Sequence, residues 1–387
     1  MTQTIGFDDV RLEDLREIGG MKWSLFPDKI GAFVAEMDFG TAPPITQALH
    51  AAVDLGVFGY LPRAVGERMS EAYAQWSSSR YGWDIPAENV RPLPDVLAGL
   101  EAAIKHFSTP GSAVILPTPA YMPFLTMPPT LGREVIEVPM LTEGGRYVYD
   151  LEALDAAFKA GGNLLILCNP HNPIGRVLER GEMEAIADVV ERNGGRVFSD
   201  EIHAPLVFDG HQHVPYASVN EAAAGHTLTA ASASKAWNLP GMKCAQLILS
   251  NDADKEKWSG IGMMAEHGAA NLGVIANTAA FTAGGQWLDE VIGYLDGNRR
   301  LLAELVAEHL PGVTFTPPEG TYLAWLDCRA VDLTEPGQFF LEHAEVALTD
   351  GNRCGEAGKG FARYNFATPR PIMIKTLEQM GAALAKR

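Results

Sequence analysis

From residue 95 onward, short apolar runs alternate with amphipathic stretches. Residues 113–116, between Gly111 and Pro117, have the length and the flanks of a strand. Residues 163–168 (NLLILC) form a continuous apolar run, as in strands covered on both faces of a parallel sheet. Residues 196–199, 228–231 and 245–250 read as three further strands. Helical spacing appears over 95–107, after Tyr121 and over 179–193. Strands alternating with helices predict an α/β domain with a mostly parallel sheet. After about residue 285 the pattern changes. A long amphipathic helix over 286–310 precedes short strands at 321–327 and 361–366, and a last helix starts near Pro371. That mixture predicts a smaller α+β unit. The first fifty residues are rich in Gly, Pro and aromatics and read as an irregular arm.

The 387 residues suffice for a large domain and a smaller companion, and 47% are apolar. The formal net charge of −18 has no compensating basic run, which argues against nucleic acid and against anionic membrane surfaces. The four cysteines, Cys168, Cys244, Cys328 and Cys354, show no C-x-x-C spacing; three precede or sit in apolar runs and read as reduced core residues. The first eighteen residues lack an apolar signal core, and no apolar stretch reaches the ~18 residues a membrane span needs. The expectation is a cytoplasmic protein without a membrane segment.

Candidate chemistry follows the strands. In open α/β sheets ligands bind beyond the carboxyl ends of the strands. Here PTPAY (117–121), NPHNPIG (169–175), SDEIH (199–203) and SASK (232–235) each follow a strand. They deliver an aromatic ring, an amide, a carboxylate and a lysine that could share one pocket. A lysine amine condenses with an aldehyde cofactor. A carboxylate can keep a pyridine nitrogen protonated, which makes the ring an electron sink. An aromatic side chain can stack on that ring, and hydroxyls with helix-start N–H groups can hold a phosphate.

Two other patterns compete. Ser232-x-x-Lys235 matches the S-x-x-K of penicillin-binding enzymes, but neither Ser-Asp-Asn nor Lys-Thr-Gly occurs. His203, Asp209, His211 and His213 have the residue types of metal ligands, but a Gly-containing acidic loop is more often a solvated turn, and no His-Glu-x-x-His is present. No metal is expected.

Taken together, these segments resemble the fold-type I pyridoxal-5′-phosphate (PLP) enzymes of the class I/II aminotransferase superfamily. The nearer resemblance is to the cystathionine β-lyase (C–S lyase) subgroup related to MalY and PatB. It rests on KW (22–23), VAEMDF (34–39), FGY (58–60), NPHNPIG, SDEIH, ASKAWN (233–238) and PEGTYLAWLD (318–327), in order along nearly the whole chain. Glu36 and Ile174 depart from the subgroup, which more often has Asp and Thr there.

The resemblance implies a large PLP domain over 50–285 with a seven-stranded, mostly parallel sheet. Residues 1–49 and 286–387 would form the small domain. Lys235 is then the Schiff-base lysine and proton shuttle, Asp200 the partner of the pyridine nitrogen and Tyr121 the stacking ring. Asn172 contacts the phenolic oxygen and the substrate carboxylate. Val96 and Leu97 offer backbone N–H groups to the phosphate, with Ser232, Ser234 and Lys243 completing its site. Lys243 stands where aminotransferases usually have arginine, which keeps the charge but loses the bidentate fork. His203 lines the cofactor from beneath. Arg363 clamps the substrate α-carboxylate, and Tyr60 reaches in from the second subunit of a homodimer.

The implied reaction is α,β-elimination from L-cystathionine or a related L-cysteine S-conjugate, giving thiol, pyruvate and ammonia in sulfur amino-acid metabolism. An aminotransferase would use the same residues. A regulatory protein that binds a partner, with lyase activity secondary, is the third possibility.

Overall fold

The computed structural model describes residues 6–387. Its centre is a seven-stranded sheet: β1 (Val90–Leu93), β2 (Ala113–Thr118), β3 (Val135–Pro139), β4 (Gly162–Cys168), β5 (Arg196–Asp200), β6 (Thr227–Ala231) and β7 (Ala245–Leu249). The spatial order is β1-β7-β6-β5-β4-β2-β3. β2, β3, β4, β5 and β6 pair in parallel, while β7 is antiparallel to both β6 and β1.

The sequence pattern supplies five of these strands, and the two it passes over lie at the sheet edges. β1 contains Pro92, which an edge strand tolerates. In β3 only Val138 is fully buried, so its apolar signal is weak.

Both faces of the sheet are covered, which explains the continuous apolar runs. In β4, Leu164, Ile166 and Cys168 pack with Val96, Leu100 and Phe124 on one face. Leu165 and Leu167 pack on the other face with Leu154, Ile186 and Val190, from helices α1 (Leu151–Lys159) and α2 (Arg180–Arg192). Alternate residues of one strand therefore feed two cores, the period-2 geometry of a strand.

The topology gathers the carboxyl ends of the parallel strands on one edge. Because β7 runs the other way, its first residues join them: Ala245 lies opposite Leu93, and Gln246 lies opposite Ala231.

Beyond the sheet, a 25-residue helix, Gly285–His309, packs against the last helix, Arg370–Leu384. A three-stranded antiparallel sheet stands beside them, made of β8 (Leu323–Asp327), β9 (Thr349–Asp350) and β10 (Phe361–Asn365), with β10 central.

Residues 6–50 are more ordered than the irregular arm expected from the composition of this end. Leu12–Ile18 is helical, and Pro43–Asp54 forms a three-turn helix that opens on Pro43 and Pro44. Prolines punctuate loops, but the first helical turn accepts them because its N–H groups have no helical acceptor. The helix expected over 95–107 runs from Val96 to Ala102 and continues as a π-helical turn to Phe107. Among the described residues, no helix is long and apolar enough to cross a membrane.

Candidate active site

Asp200 is the last residue of β5 and is buried. Its Oδ1 accepts a hydrogen bond from the Ile202 N–H at 3.0 Å. Burial pushes this carboxyl up to about 7, against the opposing pull of the Ile202 N–H and the nearby Lys235.

Lys235 lies four residues beyond the end of β6. It keeps part of its surface open, yet the protein atoms crowding its amine push it down to about 8, with Arg363 adding to the effect. Its Nζ donates to the Ala35 carbonyl at 2.9 Å. That carbonyl also accepts from the Tyr322 hydroxyl at 2.9 Å.

Asn172 sits in the turn after β4, nearly buried, and its Oδ1 accepts from Arg363 Nη1 at 3.0 Å. Arg363 lies mid-strand in β10 and is 2% exposed. Its Nη2 reaches the Phe33 carbonyl at 2.6 Å and Thr349 Oγ1 at 3.1 Å, while its buried Nε has no protein partner among the described residues. Tyr121 is the residue before the helix Met122–Thr130 that follows β2, with its ring edge-on to Phe124. Burial raises its phenol.

His203, in the turn after β5, is 1% exposed, and its Nδ1 has no protein partner among the described residues. Burial drives it well below the ordinary imidazole range, helped by the Lys235 and Arg363 cations. It is held neutral, edge-on to the Tyr322 ring.

A second cluster forms on the same sheet edge. Val96 and Leu97 begin helix Val96–Ala102, whose first-turn N–H groups have no helical acceptor. Asp95 caps that helix by accepting from the Ala98 N–H at 2.9 Å, and its other oxygen takes Lys243 Nζ at 2.6 Å. Lys243 holds a left-handed φ of 51° just before β7, so the reversed strand is what brings it here. Ser232 Oγ accepts from the Ser234 N–H and donates to the Cys244 carbonyl, shaping the turn that presents both serines.

Tyr60 stands apart. It is 88% exposed, with its ring 5.6 Å from that of His267. The suggested metal ligands do not converge either. His213 Nε2 is bonded to Glu201 at 3.0 Å, and among the described residues no three potential ligands form a metal group.

Sequence reasoning missed several groups that surround Lys235 and Arg363. The Phe33 and Ala35 carbonyls, Tyr322 and Thr349 all touch Lys235, Arg363 or each other. VAEMDF was visible as a motif, but backbone carbonyls leave no side-chain signal. Thr349 sits in a strand of only two residues.

The aminotransferase class I and II family model matches residues 28–378. The cystathionine β-lyase of Corynebacterium glutamicum is 39% identical over 378 residues, covering 96% of this chain and 99% of its own. Cystathionine β-lyase PatB of Bacillus subtilis is 32% identical over 389 residues, 99% of this chain and 98% of its own. Among solved structures, cystalysin from Treponema denticola, which contains a pyridoxal 5′-phosphate cofactor, superposes with a TM-score of 0.93 at 28% identity, over 99% of this chain and 100% of its own. With its mixed, mostly parallel seven-stranded sheet, the chain therefore belongs to the aminotransferase class I and II family, in the group that holds PatB and the bacterial cystathionine β-lyases.

Proposed function

We propose that this chain is a PLP-dependent carbon–sulfur β-lyase acting on L-cystathionine or a related L-cysteine S-conjugate. The observation that carries it is the meeting, beyond the carboxyl ends of the parallel strands, of a depressed lysine amine, a buried carboxyl and a buried Arg363–Asn172 pair to which the smaller sheet contributes Arg363. The names of the relatives favour elimination over amino transfer.

The donor set fits PLP. Lys235 is an amine ready to condense with an aldehyde, and His203 Nδ1 and Arg363 Nε are buried polar atoms that lack protein partners among the described residues. Lys243, Ser232, Ser234 and the N–H groups of Val96 and Leu97 would hold the phosphate. Asp200, Tyr121 and Asn172 would hold the ring. Bound there, PLP supplies an electron-withdrawing ring that accepts the electron pair left at Cα.

The chain's own residues do the rest. Arg363 grips the substrate α-carboxylate through its fork. Lys235 takes the Cα proton as a base, a role its low proton affinity suits. Asp200 would keep the ring nitrogen of a bound PLP protonated. Loss of the β-thiolate then yields thiol, with pyruvate and ammonia after hydrolysis.

Residues 50–285 form the cofactor-holding domain in this reading, and residues 1–49 join 286–387 as the small domain. Support comes from the parallel pairing of Ile30–Gly31 with Val346–Ala347, and from Asn365 Nδ2 bonding the Val34 and Glu36 carbonyls. A homodimer brings Tyr60 to the partner's cleft, which accounts for its exposure beside the exposed Leu55, Phe58, Met263 and Met264. Four buried, unpaired cysteines suit the cytoplasm.

The test is to mix purified enzyme with L-cystathionine and follow absorbance, pyruvate, ammonia and thiol, with Lys235→Ala alongside. A yellow enzyme releasing all three products, and an inert variant, is the expected result. Conversion to the pyridoxamine form without pyruvate would make it an aminotransferase. A protein that takes up no PLP would end the proposal.

A further inference from the structure

Glu319 stands outside the groups assigned above, yet it is a buried carboxylate that accepts three hydrogen bonds. Its Oε1 accepts from Arg146 Nε at 2.9 Å. Its Oε2 accepts from Arg176 Nη1 and from the Val177 N–H, both at 2.9 Å. Arg176 is itself buried, and it also donates to Glu182 and to the Val177 carbonyl. Burial pushes the Glu319 carboxyl up, but the Val177 N–H and the two guanidinium groups outweigh it and hold the carboxyl below its ordinary range.

The backbone around Glu319 is tied down as firmly. The N–H groups of Glu319 and Gly320 both donate to the Gly175 carbonyl, at 2.8 and 2.9 Å. Phe208 N–H donates to the Glu319 carbonyl, and Thr321 N–H to the Leu206 carbonyl. Gly175 has a φ of +71°, and a Cβ there would stand 2.3 Å from Pro318 Cβ, so the two segments meet without room for a side chain. Thr321 is fully buried at a φ of 67°. A β-branched residue in the left-handed region is strained, and such strain persists only where the surroundings over-determine it.

The place of this joint gives it a function. Asn172 lies three residues before Gly175 in the same turn. Two residues after Thr321 the chain enters β8, where Trp325 pairs with Arg363 of β10. Arg363 Nη1 closes the ring on Asn172 Oδ1. The path from Asn172 through Gly175, Glu319, Thr321, Trp325 and Arg363 is therefore a closed circuit, and the Glu319 carboxylate reinforces it by bonding Arg176 and Val177, the two residues after Gly175. The spacing between a guanidinium fork and its carboxylate must be held tightly for both bonds to form.

We propose that Glu319 is a positioning residue: through Arg176 and the Val177 N–H it fixes the turn carrying Asn172 against the sheet carrying Arg363, and so sets the grip on a substrate's α-carboxylate. The proposal rests on the PLP-enzyme reading above.

The test uses holoenzyme and two ligands without a β-leaving group, followed through the cofactor absorbance. L-Alanine has the amine and the α-carboxylate, whereas ethylamine has only the amine. Glu319→Gln is expected to weaken L-alanine binding about tenfold while ethylamine binding stays within about twofold. Equal weakening of both ligands would mean general loosening of the site and would overturn the proposal, as would no change in either. Removing one partner of a buried pair can prevent folding. In that case Arg146→Gln, which deletes a half-exposed donor to the same carboxylate, is expected to give a smaller loss confined to L-alanine. Its absence would overturn the proposal equally. A wild-type protein that responds to neither ligand overturns the parent reading, and this proposal with it.

Discussion

At the scale of single residues, burial decides the chemistry. Lys235 and Asp200 are common residue types, and what distinguishes them is that neither charge is well solvated. The Lys235 amine is pushed down to about 8 from an ordinary 10.5, chiefly by burial. Only the neutral amine attacks an aldehyde, and the neutral fraction grows as pH rises through the lysine's own value. Cofactor-free protein should therefore take up added PLP faster with rising pH, with a midpoint near 8 and a plateau above it. Stopped-flow absorbance across pH 6.5–10 reads this directly, and a rate still climbing at the top of that range would contradict the assigned environment. Identity and motif context of these two residues are legible in the sequence. Their proton affinities are not, because burial depends on segments more than a hundred residues away, such as residues 33–36.

At the scale of elements, the helix that starts at Val96 shows how one residue serves two purposes. Asp95 caps it through the Ala98 N–H and also pairs with Lys243. The ion pair is half-exposed, with the side chains 56% and 38% accessible, so its own worth is small. The cap is worth more. Asp95→Ala is expected to cost about 1 kcal/mol of stability, measured by urea unfolding of the cofactor-free protein, and a loss near zero would mean that the cap is not needed. The helical pattern over 95–107 was readable in the sequence, whereas Asp95 proves to be the cap just before it. That Lys243 would arrive there was not readable from spacing, because it depends on β7 running antiparallel to its neighbours. The missed Pro43–Asp54 helix is the converse case, where residues that break most helices stand at the one turn that accepts them.

At the scale of the molecule, several large apolar side chains are left in contact with water. Leu55, Phe58, Tyr60, Met263 and Met264 are each at least 70% exposed, and an apolar surface of this kind marks an interaction site. With a second copy as the occupant, the protein is expected to sediment at twice its 41.7 kDa chain mass. Phe58→Asp should shift it toward the single-chain mass and reduce activity in parallel. A monomeric wild type with full activity would remove Tyr60 from the site.

The sequence by itself determined the α/β class, five of the seven strands, the family resemblance and the polar loops that follow the strands. Those features are local, being an apolar run of given length, a turn dipeptide, or a motif read in order. Only the tertiary structure decided the edge strands, the reversal of β7 that delivers Lys243, the Ala35 carbonyl bonded to Lys235 and the Glu319 joint behind Arg363. Each of these depends on which backbone lies beside which. Such contacts join residues as far apart as Phe33 and Arg363, and no periodicity along the chain encodes them.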